Sequence, residues 1–418
     1  MEPTAHTPDP AHAQRRILRV LVASQALSGA GLAAGVTVGA LLAQKMLGST
    51  SLAGLPSALF TAGSALAAVA VGRISQARGR RPGLAAGYLT GAIGSAGVIT
   101  AAILGTPVLL FLALFVYGAG TATNLQARYA GADLATPDRR GRAVSTVLVA
   151  TTLGGVAGPS LAAPASAFAD HLGIPDLAGP FLLSGLAYLL AALVLACWLR
   201  PDPLLTARTL SRTATAETGA GPTTDVTDGA PAGSRTGVVL GALVMVVSQL
   251  VMVAIMTMAP VYMHDHGHGS TASGLVIALH IGAMYLPSPL TGWLVDRYGR
   301  MKVAAASALT LLAAGLLAAA SPADSVALLA LALALVLLGI GWNFGLVSGT
   351  AIITDTVPLA TRARAQGRVD VFIAIAGATG GMTSGIMVAA ASYPALALLG
   401  GILSLALLPA VAATAFHR

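Results

Sequence analysis

Methionine and histidine side chains recur at helical spacing in the second half of the sequence. Met252 and Met256 are four residues apart, and so are His280 and Met284. Residues four apart lie on one face of a helix, so each pair can present two side chains in one direction. Thioether and imidazole groups are soft to borderline ligands that suit Cu(I). The spacing therefore predicts a copper site built from two successive antiparallel helices.

His280 is the residue that most favours a ligand site over ordinary packing of methionines. It lies roughly ten residues, or about 15 Å, into its predicted helix. An ionisable side chain at that depth in a membrane generally faces a cavity. The methionines alone are weaker indicators, because methionine also fills gaps between packed helices. A buried histidine satisfied by a neighbouring hydroxyl group remains an alternative interpretation.

Four further candidate ligands occur in the predicted loop that joins these two helices. They are Met263, His264, His266 and His268. Their donor types predict an external site that captures copper at the entrance of a transport path. A solvated polar loop is the alternative, since the neighbouring glycines allow the loop to be flexible.

The composition indicates that these helices lie in a lipid bilayer. Of the 418 residues, 56% are hydrophobic and only 9% are charged, against about 25% charged in a typical soluble domain. Apolar runs of about 20 residues recur, which is the length needed to span the hydrocarbon core. They predict an all-α membrane protein with twelve transmembrane helices in two six-helix halves. The runs are 17–44, 52–73, 83–104, 108–132, 143–168 and 179–199, then 237–262, 271–294, 302–320, 325–350, 366–390 and 394–416.

The polar segments between the runs divide the chain into four parts. We expect a cytoplasmic N-terminal tail over 1–16, a first half over 17–200 and a second half over 237–418. Residues 201–236 are rich in Thr, Ala, Gly, Pro and Asp. This composition lacks a core-forming pattern and predicts a flexible cytoplasmic linker.

The basic residues predict the orientation of the chain. Of its 23 lysines and arginines, all except Lys45 fall on one side of the predicted membrane. The positive-inside rule makes that side cytoplasmic, with both termini there, in a bacterial-type cytoplasmic (inner) membrane. The arginines form no stripe of the kind that binds nucleic acid, so no nucleic-acid partner is expected. No nucleophile–base or paired-carboxylate arrangement appears within the helices, so the chain is not expected to be an enzyme.

The two halves contain a repeated segment. Residues 72–81 align with 292–301, and Gly118 and Gly120 align with Gly339 and Gly341, at offsets of 220 and 221. Two distant markers with nearly the same offset indicate an internal duplication. Such a repeat relates two halves that can rock about a central site.

The second copy of this segment resembles the loop 8–9 signature of the major facilitator superfamily. The matching residues are Gly292, Asp296, Arg297, Gly299 and Arg300. The resemblance implies the fold of that superfamily and a conformational gate at these residues, which latches the cytoplasmic side. Charged residues at a helix end can stabilise one packing arrangement and release another.

The first copy departs from the signature, and few carboxylates are expected inside the membrane. Gln76 replaces the acidic residue and Ala77 the following basic one, so we expect the first latch to be weak or altered. Arg128 and Asp370 are placed near cytoplasmic helix ends, as are Asp133 and Asp355. A proton relay within the membrane is therefore poorly supported by the sequence.

The methionine and histidine pairs also resemble the motifs of the CcoA-like copper importers, a branch of the same superfamily. The four residues match position by position, including the step from Met256 to His280. The resemblance implies that Met252, Met256, His280 and Met284 are copper ligands and that copper moves inward. Copper is then the cargo and no resident cofactor is expected. The expected partners are the copper ion, the lipid bilayer and a cytoplasmic copper acceptor, with the chain acting as a monomer.

Two other functions stay open. One is a carrier of an organic solute, either a drug exporter or a vitamin importer of the riboflavin type, although the few interior aromatic residues weigh against a flat aromatic solute. The other is a non-transporting membrane copper sensor or assembly factor, which would need a cytoplasmic output surface. The linker contains no evident folded module for such an output. We therefore expect an inner-membrane copper importer that works by alternating access.

Overall fold

The computed structural model describes residues 10–47, 55–217, 232–267, 270–321 and 325–415. These ranges form helices joined by short turns and contain no strand. In the first half the helices are α1 Pro10–Leu47, α2 Leu55–Arg78, α3 Arg80–Leu104, α4 Pro107–Ala132, α5 Arg140–His171 and α6 Gly179–Trp198. The later helices are α7 Pro203–Glu217, α8 Ala232–Asp265, α9 Ser270–Tyr285, α10 Ser288–Tyr298, α11 Arg300–Ala319, α12 Ser325–Thr356, α13 Arg362–Ala390, α14 Tyr393–Ser404 and α15 Leu407–Ala415.

The predicted all-helical membrane architecture is confirmed. Lipid offers no hydrogen bonds to the backbone, so a spanning segment must satisfy its own N–H and C=O groups, as a helix does. Within the described residues, ten stretches are long and apolar enough to cross a bilayer. One of them, Ala272–Tyr298, combines α9 with α10, and another, Tyr393–Thr414, combines α14 with α15. Helices α1 and α5 coincide with two further predicted apolar runs.

In each copy of the repeat, a glycine separates the two equivalent helices. Gly79 separates α2 from α3 with φ of 99°, and Gly299 separates α10 from α11 with φ of 94°. Residues with a Cβ atom rarely adopt this region, so glycine permits the sharp turn. The equivalent backbone geometry supports the internal duplication that the sequence alignment predicts.

The first part of the predicted linker is a helix anchored to the first half. The carboxylate of Asp202 accepts hydrogen bonds from the backbone N–H groups of Leu204 and Leu205 at the start of α7, and from that of Arg81 in α3. Leu204 is fully buried. Thus 203–217 is structured, whereas 218–231 lies outside the described residues.

The two halves meet most extensively at one end of the helix bundle. We call this the arginine-rich end, because Arg80, Arg140, Arg300 and Arg362 all lie there and each contacts a carboxylate. The short connections α2–α3, α4–α5 and α10–α11 also lie at this end. The prediction that this end is cytoplasmic continues to rest on the charge distribution.

Candidate functional site

A cavity of about 240 Å³ lies between the two halves. Helices α1, α2 and α4 form its wall on one side, and α8, α9, α12 and α13 form the other. A pocket between two packed halves is a common location for a ligand site. The cavity is therefore the candidate site for a transported solute.

Aromatic and amide groups form one wall of this cavity. The indole Nε1 of Trp342 donates a hydrogen bond of 2.7 Å to Oε1 of Gln249. The rings of Tyr285 and Trp342 meet edge to face, with centroids 5.6 Å apart and planes at 75°. Phe60 lines the cavity from the opposite half. The wall thus combines ring surfaces with an amide whose orientation is fixed by the indole.

A buried ion pair joins the halves beside the cavity. Nη2 of Arg128 in α4 lies 2.8 Å from Oδ1 of Asp370 in α13, and both side chains are almost fully buried. Arg128 also donates to Thr350 Oγ1 and to the hydroxyl of Tyr129. The second oxygen of Asp370, Oδ2, has no hydrogen-bond partner among the described residues, although Asp370 lines the cavity.

This ion pair adds a buried carboxylate to an interior in which the sequence predicts few. The sequence predicts Asp370 near a cytoplasmic helix end, and it lies two turns after the start of α13. The structure instead brings it to the cavity wall, where its carboxylate is buried. Sequence position gave no sign of this contact because Arg128 and Asp370 are 242 residues apart.

The structure separates the four predicted copper ligands into two groups. Met252 and Met284 are buried and both line the cavity. Met256 is partly buried and packs against the apolar core of the second half. His280 is fully buried, and its Nδ1 lies 2.7 Å from the backbone carbonyl oxygen of Leu335 in α12. This carbonyl, rather than a hydroxyl group, satisfies one ring nitrogen, while Nε2 has no partner among the described residues.

The predicted external ligands do not form a loop of four exposed donors. Helix α8 continues to Asp265, so Met263 is inside the helix and only 1% exposed, which corrects its assignment to an exposed loop. His264 and His266 are exposed, and Nδ1 of His266 contacts the carbonyl oxygen of Tyr262 at 2.7 Å. His268 lies outside the described residues. Among those that are described, no group of three His, Cys, Asp or Glu side chains lies close enough together to hold a metal ion.

The predicted gate residues meet the first half at the arginine-rich end. The carboxylate of Asp296 accepts hydrogen bonds from the backbone N–H groups of Gly141 at 2.8 Å and Arg142 at 3.0 Å. These N–H groups belong to the first turn of α5, where the helix dipole favours a negative charge. Gly292 allows close packing, because an added Cβ would lie 2.6 Å from the carbonyl oxygen of Gly141.

The remaining residues of the predicted gate occupy different positions. Gly299 forms the turn between α10 and α11, and Arg297 is exposed. Arg300 donates to the backbone carbonyl of Pro137 at 2.6 Å and also contacts Asp355. Asp355 in turn contacts Arg140 of the first half. Arg300 and Asp355 therefore extend the contact beyond the Asp296 side chain.

Gln76 forms the equivalent contact in the first copy of the repeat. Its Oε1 accepts hydrogen bonds from the backbone N–H groups of Ala363 at 2.8 Å and Arg364 at 3.3 Å in the first turn of α13. Its Nε2 donates to the carbonyl oxygens of Leu359 and Ala360. The neutral amide is thus fully engaged, so of the two expected outcomes, a weak or an altered latch, the contact is altered in its chemistry.

A buried carboxylate–arginine cluster beside this contact was missed by sequence reasoning. Nε of Arg80 lies 2.7 Å from Oδ2 of Asp133, and Arg80 also donates to Gln366. Arg362 approaches Asp133 at 3.9 Å. The only sequence signal was the position of Arg80 in the repeated segment, which does not identify its partners.

The sequence matches a family model over most of its length. Residues 21–284 and 241–418 match the model described as Major Facilitator Superfamily. The uncharacterized MFS-type transporter YdeG of Bacillus subtilis (strain 168) is 57% identical over 95% of this chain and 91% of its own. YddS, a second uncharacterized MFS-type transporter of that strain, is 52% identical over 95% and 90%. The riboflavin transporter RfnT of Brucella anthropi is 33% identical over 86% of each chain.

Solved structures show the same fold at low sequence identity. The human organic anion transporter MFSD10 (TETRAN) has a TM-score of 0.75 and 17% identity, covering 95% of this chain and 99% of its own. The proton:xylose symporter XylE has a TM-score of 0.74 and 17% identity, with coverages of 96% and 95%. None of these names mentions copper, and these similarities give no support to the copper branch.

Proposed function

This chain belongs to the major facilitator superfamily, and from that premise we propose that it imports a small planar organic solute of the flavin class. The solute occupies the central cavity, and the two halves rock about it in alternating access. The observation that carries the proposal is the cavity wall formed by Trp342, Tyr285 and Gln249.

The cavity wall matches the chemistry of a hydrogen-bonding heteroaromatic ring. Aromatic side chains pack against such a ring in offset or edge-to-face geometry. Because Gln249 Oε1 already accepts from Trp342, its NH₂ group is the part left to donate to a solute carbonyl. Asp370 Oδ2 can accept from a ring N–H. Apolar walls with a few convergent polar groups are typical of small-molecule sites.

Two further observations support a solute of this class. Three aromatic side chains that are far apart in the sequence, Phe60, Tyr285 and Trp342, converge on one cavity. The low overall aromatic content therefore argues only weakly against a flat solute, because the few aromatic side chains meet at the cavity. The similarity to a protein named as a riboflavin transporter points to the same class of solute.

The size of the cavity indicates that binding involves movement of the halves. Its volume of about 240 Å³ is below the roughly 300–1,000 Å³ of common ligand pockets. A flavin-sized solute therefore requires the halves to separate further around the cavity. The contacts between the halves cluster on the side of the cavity nearer the arginine-rich end, which leaves the opposite side as the more easily widened route.

The proposed orientation assigns the order of the import steps. With the arginine-rich end in the cytoplasm, as the positive-inside rule favours, the closed end faces the cytoplasm. The solute then enters from outside, and opening of the arginine-rich end releases it inward. The chain acts in the cytoplasmic membrane, and the gate residues from Gly292 to Arg300 control this opening.

Copper import is the second candidate function. Its support is that two thioethers, Met252 and Met284, line the same cavity and that His280 Nε2 lacks a hydrogen-bond partner among the described residues. Against it, His280 is held to the backbone of α12 through Nδ1 and does not line the cavity with the two methionines. The organic solute therefore fits the cavity better.

Uptake of tritiated riboflavin and of ⁶⁴Cu separates the two candidates. Cells express the parent chain, Gln249→Leu or Met252→Leu at matched membrane abundance. We expect riboflavin uptake by the parent and little change in Met252→Leu. Uptake by Gln249→Leu should be roughly tenfold lower, because a neutral hydrogen bond is lost and the Trp342 donor is left unpaired. In Met252→Leu the leucine retains the apolar volume and removes only the thioether.

Other outcomes reject the flavin proposal. Copper entry that is lost in Met252→Leu, without riboflavin entry, supports the copper importer instead. Copper binding to the purified chain without net copper flux supports a non-transporting sensor or assembly factor. Equal riboflavin entry in the parent and in cells with the empty vector excludes the flavin class.

A further inference from the structure

A second concave site lies at the arginine-rich end, where α7 meets both halves. This groove has a volume of about 440 Å³. Helix α7 contributes Arg208 and Arg212, the end of α2 contributes Gln76, and Leu359 and Arg364 come from the start of the α13 region. The groove is separate from the central cavity and brings three guanidinium groups to one place.

Arg208 is held by backbone oxygens from both halves. Its Nη2 donates to the carbonyl oxygens of Gln76 at 3.0 Å and of Leu359 at 3.3 Å. These are neutral acceptors, so they fix the position of the guanidinium without neutralising its charge. Arg212 and Arg364 are exposed at the rim of the same groove.

The three arginines of the groove differ from Arg80, Arg140, Arg300 and Arg362 in having no carboxylate partner among the described residues. Arg80 and Arg362 contact Asp133, while Arg140 and Arg300 contact Asp355. Among the described residues, no carboxylate oxygen lies within ion-pairing distance of Arg208, Arg212 or Arg364, and no acidic side chain lines the groove. The groove therefore gathers three guanidinium groups, none of them in an ion pair with a described carboxylate, in a concave surface.

We propose that this groove binds a phosphate-type anion, either inorganic phosphate or the phosphate of an anionic lipid headgroup. Guanidinium groups bind phosphate oxygens through paired, charge-assisted hydrogen bonds. Arg208 supplies a fixed donor at the base of the groove, and the two exposed arginines close on the anion from α7 and α13. Both sources of phosphate share this chemistry and are distinguished by the experiment below.

The bound anion stabilises the closed arrangement of the arginine-rich end. The groove is complete only while the end of α2 lies against the start of α13, because its residues come from both helices and from α7. Separation of the halves at this end splits the site. A ligand that binds only one arrangement shifts the population toward it. The anion is thus a regulator of opening, independent of which solute the central cavity carries.

Thermal unfolding of the purified full-length chain tests anion binding. Inorganic phosphate is added in detergent at constant ionic strength, with chloride as the comparison salt. At phosphate concentrations about tenfold above its Kd, we expect the Tm to rise by about 2 °C. Arg212→Gln/Arg364→Gln loses the shift, whereas Arg139→Gln, an exposed arginine of the same end outside the groove, keeps it.

A parallel series in lipid nanodiscs identifies the source of the phosphate. The groove binds a lipid headgroup if the Tm is higher in discs that contain phosphatidylglycerol than in discs of phosphatidylcholine. This rise must be lost in the double variant, and inorganic phosphate must not produce it. A rise with inorganic phosphate alone assigns the groove to the free ion. The proposal is overturned when neither anion raises the Tm, or when the double variant responds as the parent does.

A distance measurement tests the effect on opening without any transported solute. In a Cys197→Ser background, spin labels at Arg78→Cys and Arg368→Cys, both exposed positions, report the separation of α2 from α13. We expect the effective anion to enrich the short-distance population at least threefold in the parent and not in the double variant. Anion binding with an unchanged distance distribution overturns the regulatory role.

Discussion

The two copies of the repeat make the same contact with different chemistry. Asp296 binds two N–H groups in the first turn of α5, and Gln76 binds two N–H groups in the first turn of α13. The acid uses its charge at a helix N-terminus. The amide adds two donated hydrogen bonds, to Leu359 and Ala360, that a carboxylate cannot make.

The two symmetric positions share the same contact geometry, whereas their side-chain chemistry differs. A side chain at this position must accept from a helix N-terminus of the other half, and either a carboxylate or an amide can do so. The Asp296 contact has charge-assisted hydrogen bonds, and the Gln76 contact has a larger number of neutral ones. We therefore expect the two contacts to differ in strength and in their tolerance of substitution.

The largest effect is expected for Asp296→Ala. Charge-assisted hydrogen bonds contribute about 1.5–3 kcal/mol each, so loss of two should lower the closed population of the arginine-rich end by more than roughly tenfold. Spin labels at Arg139→Cys and Lys302→Cys, in a Cys197→Ser background, measure the separation of α5 from α11. Asp296→Asn, which keeps one acceptor, is the matched control and should retain part of the closed population. An unchanged distance in Asp296→Ala would show that the carboxylate does not latch the halves.

A smaller effect is expected for Gln76→Ala. Neutral hydrogen bonds contribute about 0.5–1.5 kcal/mol each, and water from the groove that Gln76 lines can replace some of them. The closed population, measured between labels at positions 78 and 368, should fall severalfold and by less than in Asp296→Ala. A larger loss in Gln76→Ala would reverse the ranking of the two contacts.

The smallest difference is expected between the glycines at the two contacts. In Gly292→Ala an added Cβ would lie 2.5 Å from Ser145 Oγ and 2.6 Å from the Gly141 carbonyl oxygen, whereas in Gly72→Ala the nearest atom, the Ala363 oxygen, is 2.9 Å away. Overpacking costs about 1–3 kcal/mol, so Gly292→Ala should weaken closure more than Gly72→Ala. The same label pairs measure both changes. Equal responses would indicate that both interfaces relax to a similar extent.

Most of the architecture could be predicted because lipid constrains the sequence locally. Each spanning segment needs about 20 apolar residues, and a glycine is needed at the turn that follows α2 and at the turn that follows α10. Both features can be recognised in the sequence without the structure. Helix α7 was missed because its stability depends on distant contacts. Asp202 caps it and binds Arg81, and Leu204 is buried against the first half, whereas its composition resembles that of a flexible segment.

The candidate site could be predicted only in part. The four-residue spacing places Met252 with Met256 and His280 with Met284 on shared helix faces, since helical periodicity is local. It does not specify which neighbouring helix each face contacts. Packing assigned Met252 and Met284 to the cavity and His280 to the backbone of α12. The role of all four as ligands stays a prediction that copper uptake can test.

The amino-acid sequence was sufficient for the membrane-spanning helices, the duplication and the charge asymmetry, because each depends on composition or on residues close along the chain. The tertiary structure alone revealed the aromatic cavity, the Arg128–Asp370 pair, the full engagement of Gln76 and the groove lined by Arg208, Arg212 and Arg364. These features join residues from different halves or from helices far apart in the chain. Long-range packing brings such residues together, and no local pattern in the sequence encodes which of them will meet.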